Sequence, residues 1–464
     1  VAVPGTPAGL YELHTLHGSG RLSFAELAAP AIELARKGFV VDAWLAEDLA
    51  DAELRARLAA HPGSAALFYP GGAPLPVGAR LVQPELAVTL ERRARGGPAG
   101  FYRGQTAGAL LAELAELARE AGRPSLQGTV TAADLAGYRA TPREPLRGWF
   151  RGREVITMPP PSSGGIILLQ VLAVLDGFPL HAASQARLAE LAGEGRAPGA
   201  SDPGGLDERI LHWWIEALRR SFRLRATDMG DPDALEVPVE RLLAPRWVAR
   251  ARMSIGEHAR AEPVELEPPE GEDTTHLSVL DADGNALSLT TTLNSSFGSG
   301  ILVRGAGFLL NNEMDDFALG GNVANQFGLV GGEANRVAPG KRPLSSMTPT
   351  VLRDGRHGVS LVIGAPGGPR IITAVIGVTL RTLVFAQPLD EAVAAPRFHQ
   401  QWSPPWTEFE PGWPEDLLES LRRRGHDVRP VQRRWARVQA IAVDSEGSVT
   451  GVSDPRGGGA AVAP

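Results

Sequence analysis

A protein of mixed helices and strands is what the sequence predicts, and three observations predict it. Helical periodicity and short strand-like runs alternate along the chain. Hydrophobic residues make up 43% and charged residues 21%, the balance of a chain that can bury a sizeable core. An acidic, proline-rich stretch at Glu262–Asp273 then separates a helix-rich part from one that reads as paired strands.

The elements follow in order. Ser23 with Glu26 forms a capping box, followed by apolar Leu27, Ile32 and Leu34 and a stop at Gly38. Leu110–Ala121 has helical spacing and ends at Gly122 with Pro124 beyond. Met158–Gly165 (MPPPSSGG) is a rigid, then flexible, loop opening onto the apolar helix Ile166–Leu175. Residues 183–207, rich in Ala, Gly and Pro, are expected as an exposed connection. Leu211–Asp228 reads as a long helix with Trp213, Trp214, Leu218 and Phe222 as its buried stripe. After the linker at 262–273, Leu277 and Val279, then Leu287, Leu289 and Thr291, alternate as two strands. Ala282-Asp283-Gly284 fits a three-residue hairpin loop with Gly in the left-handed position. That register sets Thr274 opposite Thr292.

Composition excludes several functions. A net charge of −7 argues against general nucleic-acid binding, which needs a basic face. With no cysteine, disulfides, thiolate nucleophiles and sulfur-based metal sites are ruled out. The most apolar runs, Gly164–Leu175 and Ile371–Ala386, are broken by Gln170 and Arg381 and are too short to span a bilayer. The start at Val1 has neither a basic segment nor an apolar one of signal-peptide type, as expected of a processed or trimmed chain.

The ten histidines show no metal-ligand spacing, and the motifs G-x-S-x-G, H-E-x-x-H and G-x-x-x-x-G-K-[ST] are absent. A nucleophile must then be Ser or Thr without an obvious His partner. An N-terminal Thr, whose own α-amine serves as the base, is one solution. An internal Thr becomes N-terminal only if the chain is cut before it. Asp273-Thr274-Thr275-His276 lies where an acidic linker meets a strand. Alone, a Thr doublet there reads as β-branched strand propensity.

Longer motifs make the case specific. Thr274–Gly300 (TTHLSVLDADGNALSLTTTLNSSFGSG), LLNNEMDDF (309–317), KRPLSSMTPT (341–350), GAPGG (364–368), PRFHQQW (396–402) and SDPR (453–456) occur in that order. Upstream lie VPGTPAGL (3–10), FYRG (101–104), MPPPSSGG and GDPD (230–233). Together they closely resemble the γ-glutamyltranspeptidase family over nearly the whole chain.

The resemblance implies an α+β fold, the four-layer αββα sandwich of N-terminal-nucleophile hydrolases. It implies self-cleavage between Asp273 and Thr274 into residues 1–273 and 274–464, which stay together as a heterodimer. Carried over, Thr274 matches the nucleophile and Thr292 the hydroxyl supporting it. Asn294, Glu313 and Asp316 match the groups holding a substrate α-amino group. Ser345 and Ser346 match α-carboxylate contacts, and Gly367 and Gly368 the oxyanion donors. The implied reaction cleaves glutathione and other γ-glutamyl amides and passes the acyl group to water, an amino acid or a dipeptide, with no metal or organic cofactor. A cephalosporin-type or poly-γ-glutamate acylase, or an unprocessed non-catalytic relative, are the alternatives. The family is usually exported, so a periplasmic or extracellular location is expected.

Two departures stand out. The family's upstream segment, with an Arg for the substrate carboxylate, has no counterpart before Val1-Ala2-Val3-Pro4-Gly5. Gly321–Gly332 matches a lid loop whose usual Tyr is Phe327 here. Phe has no hydroxyl to donate, so a looser lid is expected.

Overall fold

Ser23 and Glu26 close their capping box: Ser23 N–H donates to Glu26 Oε2 at 2.7 Å, and Glu26 N–H to Ser23 Oγ at 3.3 Å. In the computed structural model this starts the helix Phe24–Lys37. The structure describes residues 1–122, 130–193, 205–259, 274–318, 320, 323–355 and 358–463. The acidic stretch 262–273 with Asp273, together with Pro124, Gly321 and Asn322, lies outside the described residues.

The chain forms two compact units, residues 1–142 with 293–314, and residues 143–292 with 315–464. The first is mostly helical. Its helix Gly104–Glu120 packs Ala107 and Leu110 against Phe101, Leu135, Val303 and Leu310. A second cluster gathers Val41, Leu49, Leu58, Phe68 and Tyr69.

The second unit is built on a six-stranded antiparallel sheet. Its strands run, edge to edge, Val449–Ser453, Gln439–Val443, Gly358–Gly364, Thr350–Asp354, Arg153–Thr157 and Leu146–Phe150. The helices Gly164–Leu175, Glu208–Asp228 and Arg370–Leu383 bury their apolar side chains with this sheet in one large core. The Gly164–Leu175 helix is hydrophobic all round because it is buried all round. Among the described residues no single helix is long and apolar enough to cross a membrane. The expected stripe holds: Trp214, Leu218 and Phe222 are buried, while Trp213 is half-buried and stacks on Phe178.

One expectation fails. Residues 183–193 are not an exposed connection but belong to a helix, Leu180–Gly193, with Leu180, Ala183, Ser184 and Leu191 buried. Ala and Leu, the strongest helix formers, dominate there. The Gly and Pro residues that suggested a loop cluster after 193.

The remaining layer is the hairpin Thr274–Leu280 and Ala286–Thr292, which packs on the six-stranded sheet. Its even-numbered, largely polar face does the packing. Ser278 Oγ donates to the Gln439 carbonyl at 3.1 Å and Ser288 Oγ to the Ile363 carbonyl at 2.9 Å, while Thr350 N–H donates to Ser288 Oγ at 3.0 Å. The apolar odd face, which the alternation pattern would place inside, keeps Leu277 and Val279 exposed. The helices, the six-stranded sheet and the hairpin thus make three layers of the expected α+β sandwich.

The His276 ring lies where a side chain on Gly364 would be: a Cβ there would approach His276 Cε1 to 2.2 Å. Gly364→Val is therefore expected to destabilise the protein by about 1–3 kcal/mol, read from its urea midpoint. Gly355→Ala, where a Cβ meets open space, should stay within about 0.5 kcal/mol. Equal effects would mean that the hairpin yields freely.

Candidate active site

Local chemistry sets the hairpin. Asp281 Oδ1 accepts from the N–H groups of Asp283 and Asn285, and Gly284 takes the turn at φ 84°. The register pairs Thr274 with Thr292, as the turn type predicts. Their hydroxyls meet, with Thr274 Oγ1 donating to Thr292 Oγ1 at 3.1 Å. His276, two residues along on the same face, bonds Thr290 Oγ1 through Nδ1 at 2.8 Å and Ser278 Oγ through Nε2 at 3.1 Å. Burial pushes its pKa down to about 4, so the ring is neutral near pH 7.

The strand Gly358–Gly364 runs into a Gly-Gly turn and the helix Arg370–Leu383. Gly367 and Gly368 have φ of 128° and 51°, which favours glycine. Their carbonyls accept from Arg370 and Ile371 N–H. Their own amide N–H groups have no partner among the described residues. Two open donors at a helix N-terminus suit a developing negative charge.

Phe327 covers this turn. A Cβ on Gly368 would meet the Phe327 ring at 3.0 Å, and Phe327 is 2% exposed. Asn325 Oδ1 accepts from the N–H groups of Phe327 and Leu329, and Gln401 Nε2 donates to the Phe327 carbonyl at 2.8 Å. Phe327 is therefore seated by its burial and by hydrogen bonds to its main-chain groups.

Asp316 lies on the far side of the same loop, where Asn325 Nδ2 approaches its Oδ1 at 3.4 Å. The residue keeps part of its surface open, yet its carboxylate is densely surrounded. Burial raises its pKa, to about 7; the positive charge of Arg225 opposes the rise and the negative charge of Asp315 adds to it. Asn335, 3% exposed, ties this turn to the serine pair, donating from Nδ2 to the Asp316 carbonyl at 2.6 Å and accepting at Oδ1 from Leu344 N–H at 3.0 Å.

Ser345 and Ser346 sit on a strap held by the SSGG part of MPPPSSGG. The Ser345 carbonyl accepts from Ser163 N–H at 2.9 Å, Ser163 Oγ at 3.0 Å and Ser162 Oγ at 3.3 Å. Side chains on the glycines would not fit: a Cβ on Gly164 would lie 2.1 Å from Thr348 Oγ1, and one on Gly165 2.1 Å from the Met158 carbonyl. Ser345 Oγ accepts from Met347 N–H at 3.0 Å, which leaves its own proton to donate.

Within the second unit, His276 sits on Gly364, the backbone leads from Gly364 to Gly368, and contacts continue through Phe327, Asn325, Asp316, Asn335 and Leu344 to Ser345. Asn294 and Glu313 belong to the first unit. Asn294 is buried at φ 81° with Nδ2 donating to the Asn312 carbonyl, and Glu313 N–H donates to Asn311 Oδ1. Sequence reasoning missed His276, Asn325, Asn335, Gln401 and Arg225; His276, at i+2 from Thr274 on a strand, carried a usable signal. The arginines of PRFHQQW and SDPR serve the core instead: Arg397 pairs with Asp454, and Arg456 with Glu410 and Asp454.

The γ-glutamyltranspeptidase family model matches residues 1–463. The chain belongs to that family. The glutathione hydrolase proenzyme of Escherichia coli (strain K12) is 38% identical over 459 residues, 98% of this chain and 73% of that protein. The acylase ACY 1 proenzyme of Pseudomonas sp. (strain SE83) is 35% identical over 100% of this chain and 75% of its own length. Among solved structures, the cephalosporin acylase of Bacillus halodurans superposes with a TM-score of 0.76 at 26% identity, covering 98% of this chain and 77% of that one. The family thus includes both γ-glutamyl enzymes and acylases on one scaffold, and this chain is an enzyme of that hydrolase and transferase class.

Neutral His276 makes stability pH-dependent. Its folded pKa lies below the ordinary 6.5, so the unfolded chain takes up the proton first. Its contribution is full above pH 6.5 and is lost as pH falls toward 4. Between pH 7.5 and 5.0 wild type should lose about 2 kcal/mol more than His276→Gln, at 1.36 kcal/mol per pH unit. Parallel losses in urea melts at the two pH values would place the ring's proton elsewhere.

Proposed function

We propose that this chain is a self-processing γ-glutamyl hydrolase and transpeptidase acting on glutathione and related γ-glutamyl amides. The observation that carries the reading is the Thr274–Thr292 hydroxyl pair, at the start of a strand directly after the acidic linker, in a member of this family. In the mature enzyme Thr274 supplies both nucleophile and base. Its α-amine, with an ordinary pKa near 7.7–8.0, takes the proton as Oγ1 attacks the γ-carbonyl. Thr292 orients that oxygen. The Gly367 and Gly368 amides receive the oxyanion, a contribution of about 2.7–4 kcal/mol per donor where such donors have been removed. Collapse of the tetrahedral intermediate expels the amine and leaves a γ-glutamyl ester on Thr274. Water, an amino acid or a dipeptide then takes the acyl group.

Selection of the γ-glutamyl head falls to Asp316 for the ammonium and to Ser345 and Ser346 for the carboxylate. These residues also separate the reading from its rival. The rival, suggested by the likeness to acylases, is an acyl group without an α-amino group for these residues to hold. An enzyme using Asp316 as an ammonium partner should prefer a γ-glutamyl anilide to the matching glutaryl anilide, and the reverse preference would move the assignment to the acylase branch.

Fresh recombinant protein should give two masses, for residues 1–273 and 274–464, while Thr274→Ala stays one chain for want of the hydroxyl. Two fragments from Thr274→Ala would refute self-cleavage at this position. Asp316→Ala removes a charge-assisted bond of about 1.5–3 kcal/mol, roughly a 10- to 150-fold fall in kcat/KM on a γ-glutamyl anilide. Processing should change much less, because no substrate is bound then. Equal loss of both would make Asp316 structural.

A further inference from the structure

Arg225 lies inside the Glu208–Asp228 helix and is 3% exposed. Its Nε donates to Ser163 Oγ at 3.2 Å and its Nη2 to the Leu344 carbonyl at 3.3 Å. Both of these acceptors are neutral, which is an uncommon setting for a buried guanidinium. Each acceptor leads to the proposed amino-acid clamp. Ser163 donates twice to the Ser345 carbonyl. Leu344 precedes Ser345, and its N–H is fixed by Asn335, which also holds the Asp316 carbonyl. Next to Arg225, the Ala226 carbonyl accepts from Gly332 N–H at 2.7 Å and so anchors the end of the lid loop.

Charge completes the arrangement. The groups acting on the Asp316 carboxylate are Arg225, from the helix, and Asp315, from its own turn. The amides of Asn325 and Asn335 are neutral, and Glu333, beside Asn335, is exposed and paired with Arg336. Two neighbouring carboxylates in a crowded place favour protonation of one of them. A protonated Asp316 could not hold an ammonium as an ion pair.

We infer that Arg225 is a positioning residue for the α-amino-acid clamp: it sets the Ser345–Ser346 strap through Ser163 and Leu344, and its positive charge favours the anionic form of Asp316. The inference deepens the γ-glutamyl reading above and rests on it for the identity of the clamped group.

The test combines a titration with kinetics. In processed enzyme labelled with 13C at aspartate carboxyls, with Asp316→Asn identifying the signal, Arg225→Met should raise the Asp316 pKa by about one unit or more, and Arg225→Lys should raise it less. The acid limb of kcat/KM on a γ-glutamyl anilide, which reports free-enzyme groups, should move up by the same amount in each variant. At pH 6 the Met variant should lose about five- to tenfold more than at pH 8.5. If Arg225→Met does not fold, Arg225→Lys carries the test through its smaller shift of both pKa and limb. An Asp316 pKa that does not move with Arg225 overturns the inference, as does an acid limb that stays in place while activity falls equally at all pH values. A wild-type enzyme inert toward γ-glutamyl anilides would instead refute the γ-glutamyl reading, and the titration would still decide whether Arg225 controls Asp316.

Discussion

A slip of one residue between Thr274–Leu280 and Ala286–Thr292 would turn every side chain of one strand to the other face. Thr274 would lose Thr292, and His276 would leave the space above Gly364. Ser288 would no longer bridge the Ile363 carbonyl and the Thr350 amide. The register is therefore the constraint on which the rest depends, and it is fixed twice. The Asp281–Asn285 turn fixes it locally, through Gly284 and the Asp281 carboxylate. The six-stranded sheet fixes it from below, because the hydroxyls of Ser278 and Ser288 find backbone acceptors only in this phase. Such bonds add little net stability each, about 1 kcal/mol. Leaving them unmade in a partly buried interface costs more, which makes the polar face selective for one register.

The same logic governs the serine strap. Two serines and two glycines of MPPPSSGG act as a pair of devices: Ser162 and Ser163 satisfy the Ser345 carbonyl, while Gly164 and Gly165 let two backbones approach to distances that no side chain permits. Arg225 and Asn335 then grip Leu344 from its carbonyl and its amide. A hydroxyl proposed to bind a carboxylate must be placed to a few tenths of an ångström to donate well. The backbone of this strap is placed by buried groups on the helix and on two loops.

Legibility in the sequence followed the range of the interactions. The capping box at Ser23, the hairpin turn and the Thr274–Thr292 pairing depend on residues within 18 positions of one another, and all are seen as expected. The motifs carried the family and the fold class. What escaped depends on distant partners. Arg225 meets Leu344 across 119 positions, and no periodicity announces such a contact. The exposure of Leu277 and Val279 was not legible for a related reason: alternation tells which side chains share a face, but not which face meets the sheet. Residues 183–193 were misread because Gly and Pro beyond 193 coloured an Ala- and Leu-rich helix.

A cut before Thr274 raises a question of cohesion, and the sheet answers it. Leu146–Phe150 and Arg153–Thr157 come from the part before the cut, and the other four strands from the part after it. The seam lies inside the sheet, where Arg153–Thr157 pairs with Thr350–Asp354 over five residues, and Thr157 Oγ1 meets Thr350 Oγ1 at 2.9 Å. The core is shared as well: Ile167, Leu168, Trp214 and Leu218 from one side of the cut pack in one cluster with Leu352, Ile363, Ile372 and Val375 from the other. Both compact units likewise draw residues from both sides. Separating the products would break a central strand pair and expose that cluster, at about 25 cal/mol per Å² of apolar surface. With strands and core shared in this way, the proposed cleavage would change a terminus while the sheet and core still join the two products, which is the condition for a new α-amine to appear beside a hydroxyl already in position.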